Sequence, residues 1–155
     1  FMVCVVMGYP DTEAEMEILS RQPRHGLLDR VQPVMDKNEL LAMQQEVDNV
    51  YMSDDIMRYI VSLSQTTRQE PRFALGLSPR GSLAVAGMAR AAAYLAGREF
   101  VAPQDVTAIF VDAAHHRLRL TEQAQTAGET VENVLNDLLH TVPRPRPEKG
   151  GRHGR

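Results

Sequence analysis

Gly76-Leu77-Ser78-Pro79-Arg80-Gly81-Ser82 reads as a loop that turns straight into a helix. Ser78 suits the N-cap, because its side-chain oxygen accepts from a free backbone N–H of the first turn. Pro79 suits the first helical position, where no N–H is needed and φ is already set. Arg80 follows, with its charge against the positive end of the helix dipole, a cost of about a few tenths of a kcal/mol. An anion held in front of the helix, facing both the free N–H groups and the guanidinium, offsets that cost. Arg80 is therefore the candidate to meet a phosphate. The alternative is a side chain that bends away to a nearby carboxylate or to water.

Gly76 and Gly81 have the spacing that opens a P-loop, but Ser82 and Leu83 follow where Lys and Ser or Thr are required. No lysine is supplied for the phosphates, and no other segment carries the motif. The main part of a nucleotide site is therefore absent from the sequence.

Working outward, 155 residues suffice for one domain with a real core. With no Trp, four Phe and four Tyr, that core must be aliphatic, filled largely by Met and Ala. The tail from Thr141 to Arg155 holds five basic residues against Glu148, which leaves a body of charge −7 with 12 basic and 19 acidic residues. An acidic body argues against a nucleic-acid footprint. A DNA-binding helical domain is suggested by the basic tail alone. A single cysteine, Cys4, excludes an internal disulfide framework and points to a reducing, cytoplasmic compartment. No stretch is long enough to span a membrane, and Phe1 to Met7 lacks the basic leader and cleavage site of a signal peptide.

The valine-rich run Phe1 to Met7 reads as a strand buried on both faces. Such a strand needs neighbours, and no second long strand pattern follows. Together with Phe1 in place of an initiator Met, this points to a segment cut from a larger α/β protein. The orphan strand is expected to pair with another copy or to fold back on the body.

Gly8-Tyr9-Pro10-Asp11 is a turn, and Asp11 caps a helix from Thr12 to about Arg21 with Ile18 and Leu19 inward. A loop spans Gln22 to Pro33, with His25 on its surface. Asp36 and Glu39 open a helix reaching about Asp48, with Leu40, Met43 and Val47 on one face. Ser53 caps a helix that buries Ile56, Ile60 and Leu63 and ends near Arg68. Gln69 to Leu77 reads as loop. The helix opened by Ser78 runs to Ala96 and stops at Gly97, and its alanines allow close helix approach. Pro103 starts a helix with Val106, Ile109, Phe110 and Ala113 inward. Leu118 to Leu120 is extended and is expected to pair with Val50 to Met52. A last helix covers about Glu129 to Thr141, and residues 143–155 form a disordered basic tail. The fold class is mainly α, a small helical bundle with a short two-stranded ribbon and one N-terminal strand.

His115 and His116 are adjacent and lack the i, i+4 spacing of a helical metal site. No Cys-x-x-Cys and no convincing Ser-His-Asp set is present. Cys4 in an apolar strand is an inert thiol. No autonomous active site is evident.

The motifs in combination resemble MoxR-type AAA+ ATPases. Phe1 through Asp11, with Glu13 and Glu15, looks like that family's junction of core and lid. Thr67-Arg68 followed by Gly76 to Arg80 resembles its sensor 2 segment. Ala96-Gly97-Arg98-Glu99-Phe100-Val101-Ala102-Pro103-Gln104-Asp105-Val106 resembles the signature that comes next, and His116-Arg117 its later HR pair. The matches fall in order over roughly residues 1 to 142. Gly81 stands where the family more often has Ala, loosening the helix start. Ala102 replaces the Thr or Ser before Pro103, losing a cap of about 1 kcal/mol.

The resemblance implies that residues 1–8 are the last strand of a missing ATPase core and 9–142 a helical lid. It implies that Arg80 is the sensor 2 arginine that contacts the γ-phosphate, with Ser78, Pro79, Tyr9 and Pro10 beside the nucleotide. The cofactor is ATP with Mg2+ in the full-length parent, and this segment alone is neither active nor a tight binder. The implied partners are the core, neighbouring subunits of a ring hexamer and von Willebrand factor A-domain proteins. The implied work is maturation or remodelling of client complexes. The competing reading is a free-standing helical interaction module without nucleotide chemistry.

Overall fold

The computed structural model describes residues 1–20 and 31–146. The chain divides into two units, Val5–Gln44 and a larger one that joins Phe1–Cys4 to the chain from Gln45 onward. The expected helix end at Arg21, most of the Gln22 to Pro33 loop with His25, and the tail beyond Arg146 lie outside the described residues.

In the smaller unit, α1 (Thr12–Ser20) opens where the Asp11 carboxylate accepts the Ala14 N–H at 2.8 Å. Helix α2 (Lys37–Asn49) opens on a reciprocal capping box. The Glu39 N–H donates to the Asp36 carboxylate at 2.9 Å, and the Asp36 N–H donates to that of Glu39 at 2.7 Å. The apolar faces do not go inward as the sequence suggests. Ile18 and Leu19 are 62% and 82% exposed, and none of this unit's described residues is buried. An apolar stripe is buried only where another element packs on it.

The larger unit contains α3 (Asp54–Gln69), β1 (Phe73–Leu75), α4 (Pro79–Leu95) and α5 (Pro103–Ala114). A 3₁₀ turn (His115–Arg117), β2 (Arg119–Leu120), α6 (Glu122–Thr126) and α7 (Val131–Thr141) complete it. Side-chain caps open most of these helices: Ser53, Ser78, Thr121 and Thr130 each accept a backbone N–H three residues on. At the other end of α4, Gly97 takes φ +69°, its N–H bonds to the Tyr94 carbonyl, and the Arg98 N–H bonds to that of Ala93. This double closure needs a left-handed residue, which glycine supplies without strain.

The core is mainly aliphatic with three rings, Tyr59, Phe73 and Phe110; alanine fills much of it as expected, but methionine does not, since Met52 is the one Met buried among the described residues. Leu63, Leu77, Val85, Val106, Phe110, Val134 and Leu135 are fully buried. Helices α4 and α5 form the most extensive helix pair. Their buried alanines, Ala89 and Ala93 on α4 with Ala113 and Ala114 on α5, keep side-chain bulk low.

Three expectations are corrected. The ribbon pairs β2 with β1, not with Val50 to Met52: Phe73 stands opposite Leu120 and Leu75 opposite Arg119, antiparallel. Tyr51 instead makes a parallel bridge beside Phe100, through the Tyr51 N–H to the Glu99 carbonyl and the Val101 N–H to the Tyr51 carbonyl. Strands of two or three residues carry too little alternation to declare a partner. Second, Gln69 to Leu77 is not loop throughout, since Phe73–Leu75 forms β1; α6, over residues the sequence reading leaves unassigned, opens at the Thr121 cap. Third, residues 1–7 form no strand. A strand needs a partner strand, and here the backbone is met by other groups. The Cys4 N–H donates to the Asp112 carbonyl at 3.0 Å, Arg117 holds the Phe1 and Met2 carbonyls, and Val3 packs on the core. This portion folds back on the body. Cys4 is exposed rather than an interior thiol.

Among the described residues, no helix is long and apolar enough to cross a membrane.

Candidate functional site

Helix α4 begins where the sequence places it. Ser78 has extended backbone angles, φ −72° and ψ 162°, and its hydroxyl accepts the Gly81 N–H at 3.2 Å. Pro79 fills the first helical position. Arg80 is exposed and makes no hydrogen bond or ion pair with any described residue. No carboxylate has captured it, and its own N–H is a first-turn donor with no helical acceptor behind it.

The mouth of α4 is held from α3. The Thr67 hydroxyl accepts the Leu77 N–H at 2.9 Å and donates to the Ser64 carbonyl at 2.7 Å. Next to it, Arg68 Nε donates to the Leu77 carbonyl at 2.7 Å. Both polar groups of the residue before the cap are thus gripped by Thr67 and Arg68. Ser82 on the first turn bonds to the Ser64 hydroxyl at 2.8 Å, and Ser64 in turn donates to the Ile60 carbonyl.

Gly76 allows this closeness. A Cβ there would lie 2.6 Å from the Arg68 Cα and 2.8 Å from its backbone nitrogen. Gly81 is also a close approach, since a Cβ would come within 2.4 Å of Leu77 Cδ1. Whatever glycine costs the helix start in backbone freedom, the missing Cβ makes room for a fully buried Leu77.

The opposite end of α4 is clasped. Arg98 forms a two-pronged pair with Asp105, one contact at 2.6 Å, and stands 5.9 Å from the Phe100 ring centre. The Asp105 carboxylate also accepts the Ala102 N–H at 2.7 Å. Burial opposes ionisation of Asp105, but the bonds from Arg98 and the Ala102 N–H outweigh it and hold the carboxyl below its ordinary range. The lost Ser or Thr cap is thereby half replaced: the alanine side chain accepts nothing from the helix, yet Asp105 reaches back to satisfy the Ala102 N–H.

Arg117 links three places. Its Nε donates to the Ala113 carbonyl at 3.0 Å, its Nη2 holds Phe1 and Met2, and its Cδ lies against Gly81 in the first turn of α4. Beside it, burial and then the Arg117 charge lower the pKa of His116.

A family model described as an AAA lid domain matches residues 65–138. Chaperone MoxR1 of Mycobacterium tuberculosis is 31% identical over 164 residues, covering 97% of this chain and 43% of that protein. The chain carries an AAA lid domain of the MoxR type. Uncharacterized protein YeaC of Bacillus subtilis is 35% identical over 145 residues, covering 94% of this chain and 45% of its own length. A crystal structure from Cytophaga hutchinsonii, described as a candidate ATPase, superposes with a TM-score of 0.81 at 24% identity. It covers 94% of this chain and 47% of that one, and it shows the fold. The chain thus spans less than half the length of these relatives.

Within the lid, Ser78, Pro79 and Arg80 form one continuous helix mouth. Tyr9 and Pro10 belong to the smaller unit, where both are exposed. The functional reading of the sequence missed the roles of Thr67 and Arg68. Their motif was visible, but nothing local told that the pair reaches nine and ten residues ahead to Leu77. Among the described residues, no cluster of His, Cys, Asp and Glu is arranged to hold a metal ion.

Proposed function

We propose that this chain is the nucleotide-responsive lid of a larger MoxR-type AAA+ ATPase, with Arg80 as its sensor 2 arginine. The observation that carries the reading is the exposed guanidinium with no partner among the described residues, set just inside the capped mouth of α4. A cation left in the first turn of a helix is unfavourable until an anion joins it. The donors present, the Arg80 guanidinium and its backbone N–H, fit the oxygens of a phosphate. ATP with Mg2+, bound chiefly by a core outside this chain, supplies that charge. Arg80 meets the terminal phosphate when the lid closes, with Ser78 and Pro79 fixing the mouth, and Tyr9 and Pro10 are further candidate contacts of the nucleotide.

Arg80 loses this partner on hydrolysis, so the nucleotide state biases the lid angle. The work so driven is remodelling or maturation of a client complex in the cytoplasm. The acting form is a ring whose subunits meet through core and lid, with von Willebrand factor A-domain proteins as partners. The name of the mycobacterial relative, a chaperone, supports the general role.

The test is Arg80→Ala in the full-length ATPase. Turnover is expected to fall by about tenfold or more, the loss of one charge-assisted contact in the transition state, with the melting temperature unchanged. Undiminished hydrolysis removes Arg80 from the role.

A further inference from the structure

A second cationic site lies away from the α4 mouth, and we propose that it binds the phosphoryl group of a small phosphorylated molecule. A cleft of about 400 Å³ opens between α3 and the arm that leaves α7, lined by Asp55, Arg58, Tyr59, Ser62 and the segment Pro143 to Arg146. The four α3 residues are spaced i, i+3, i+4, i+7 and therefore share one stripe of the helix. The volume falls within the span of small-ligand sites.

The cleft is built from donors. Arg58, Arg144 and Arg146 contribute three guanidiniums against the single carboxylate of Asp55. None of the three is hydrogen-bonded or ion-paired to a carboxylate among the described residues. At its base lies Tyr59, only 3% exposed, whose enclosed hydroxyl has the Arg144 side chain as its neighbour but no hydrogen bond of good geometry. Buried hydroxyls rarely stay poorly satisfied, and this one belongs to a residue that lines a cleft rich in cationic side chains. Burial raises the Tyr59 pKa, partly offset by the charge and the hydrogen bond of Arg144, so the phenol stays protonated at neutral pH. The Ser62 hydroxyl completes the set. Planar guanidiniums bind tetrahedral phosphate oxygens in pairs, and three of them match a dianion better than a carboxylate. Asp55 leaves the cleft at +2 and provides an acceptor that can orient one of the arginines.

The Arg80 reading is independent of this site, since no residue is shared. The experiment is a titration of the full chain with inorganic phosphate, and separately with glycerol phosphate, at constant ionic strength, followed through the backbone amide resonances of α3. Saturable shifts are expected at Tyr59 and Ser62. Arg144→Ala and Arg58→Ala should each weaken binding by about tenfold, and Tyr59→Phe should weaken it severalfold with the helical spectrum intact. Arg119→Ala, an exposed arginine outside the cleft, should leave the affinity unchanged. Tighter binding of glycerol phosphate assigns an organic phosphate to the cleft, and equal binding assigns free phosphate. Shifts that never saturate, or full affinity in both Arg144→Ala and Tyr59→Phe, overturn the proposal.

Discussion

Arg98 and Asp105 show how single side chains carry a recurrent motif. A buried carboxylate left without its cation is costly, so Arg98→Ala should destabilise the lid by about 1–3 kcal/mol in urea titrations at neutral pH. The folded Asp105 carboxyl sits below its ordinary value of 3.8, so the clasp contributes fully above that value. The contribution is lost as the pH falls from there through the lowered folded value. Asp105→Asn should therefore be less stable than the wild type at pH 7, with the gap closing as the pH falls below 3.8 through the lowered folded value. Gly76 makes the complementary point about space. A methyl group there meets the α3 backbone, which cannot rotate away as a side chain can, so Gly76→Ala should cost about 1–3 kcal/mol in the same assay. Both effects were half legible in the linear chain. The residues stood in a recognisable pattern, but the partner of Arg98 is seven positions away and the neighbour of Gly76 eight positions back.

At the scale of elements, α4 is positioned by α3 rather than by its own cap alone. Ser78 ends the loop correctly in any context, since capping is local. The direction in which the mouth points depends on Thr67 and Arg68 gripping Leu77. Thr67→Val keeps the shape and removes the hydroxyl, leaving a buried N–H unpaired. It should lower stability by about 1–3 kcal/mol and speed amide exchange at Leu77 and Gly81. Thr67→Ser should restore both. Helix starts were readable because each cap bonds within three residues of itself. The ribbon was not: β2 pairs with a three-residue strand some 45 positions earlier, and such short edges differ little from any other extended piece.

For the whole molecule, burial is uneven. The unit from Gln45 onward holds the entire core, while Val5–Gln44 has no buried side chain among its described residues. Hydrogen exchange should therefore show protection concentrated in α3, α4, α5 and α7, with α1 exchanging early. Comparable protection of α1 would contradict that division. The apolar residues of α1 and of Phe1 to Met7 carried the ordinary signals of interior segments, and the structure leaves most of them in contact with water. Hydrophobic pattern reports what a segment can bury, and the partner that buries it is a separate matter.

Most helix starts, the caps at Ser53 and Ser78 and the arginine behind Pro79 follow from interactions that close within one turn of chain, and they were readable without coordinates. The pairing of β1 with β2, the grip of α3 on the mouth of α4, the retention of Phe1 to Cys4 by Arg117 and the gathering of three arginines around Tyr59 were not. Each joins residues far apart in sequence, and the choice among many equally plausible partners is made when the core packs and only one arrangement leaves the buried polar groups satisfied.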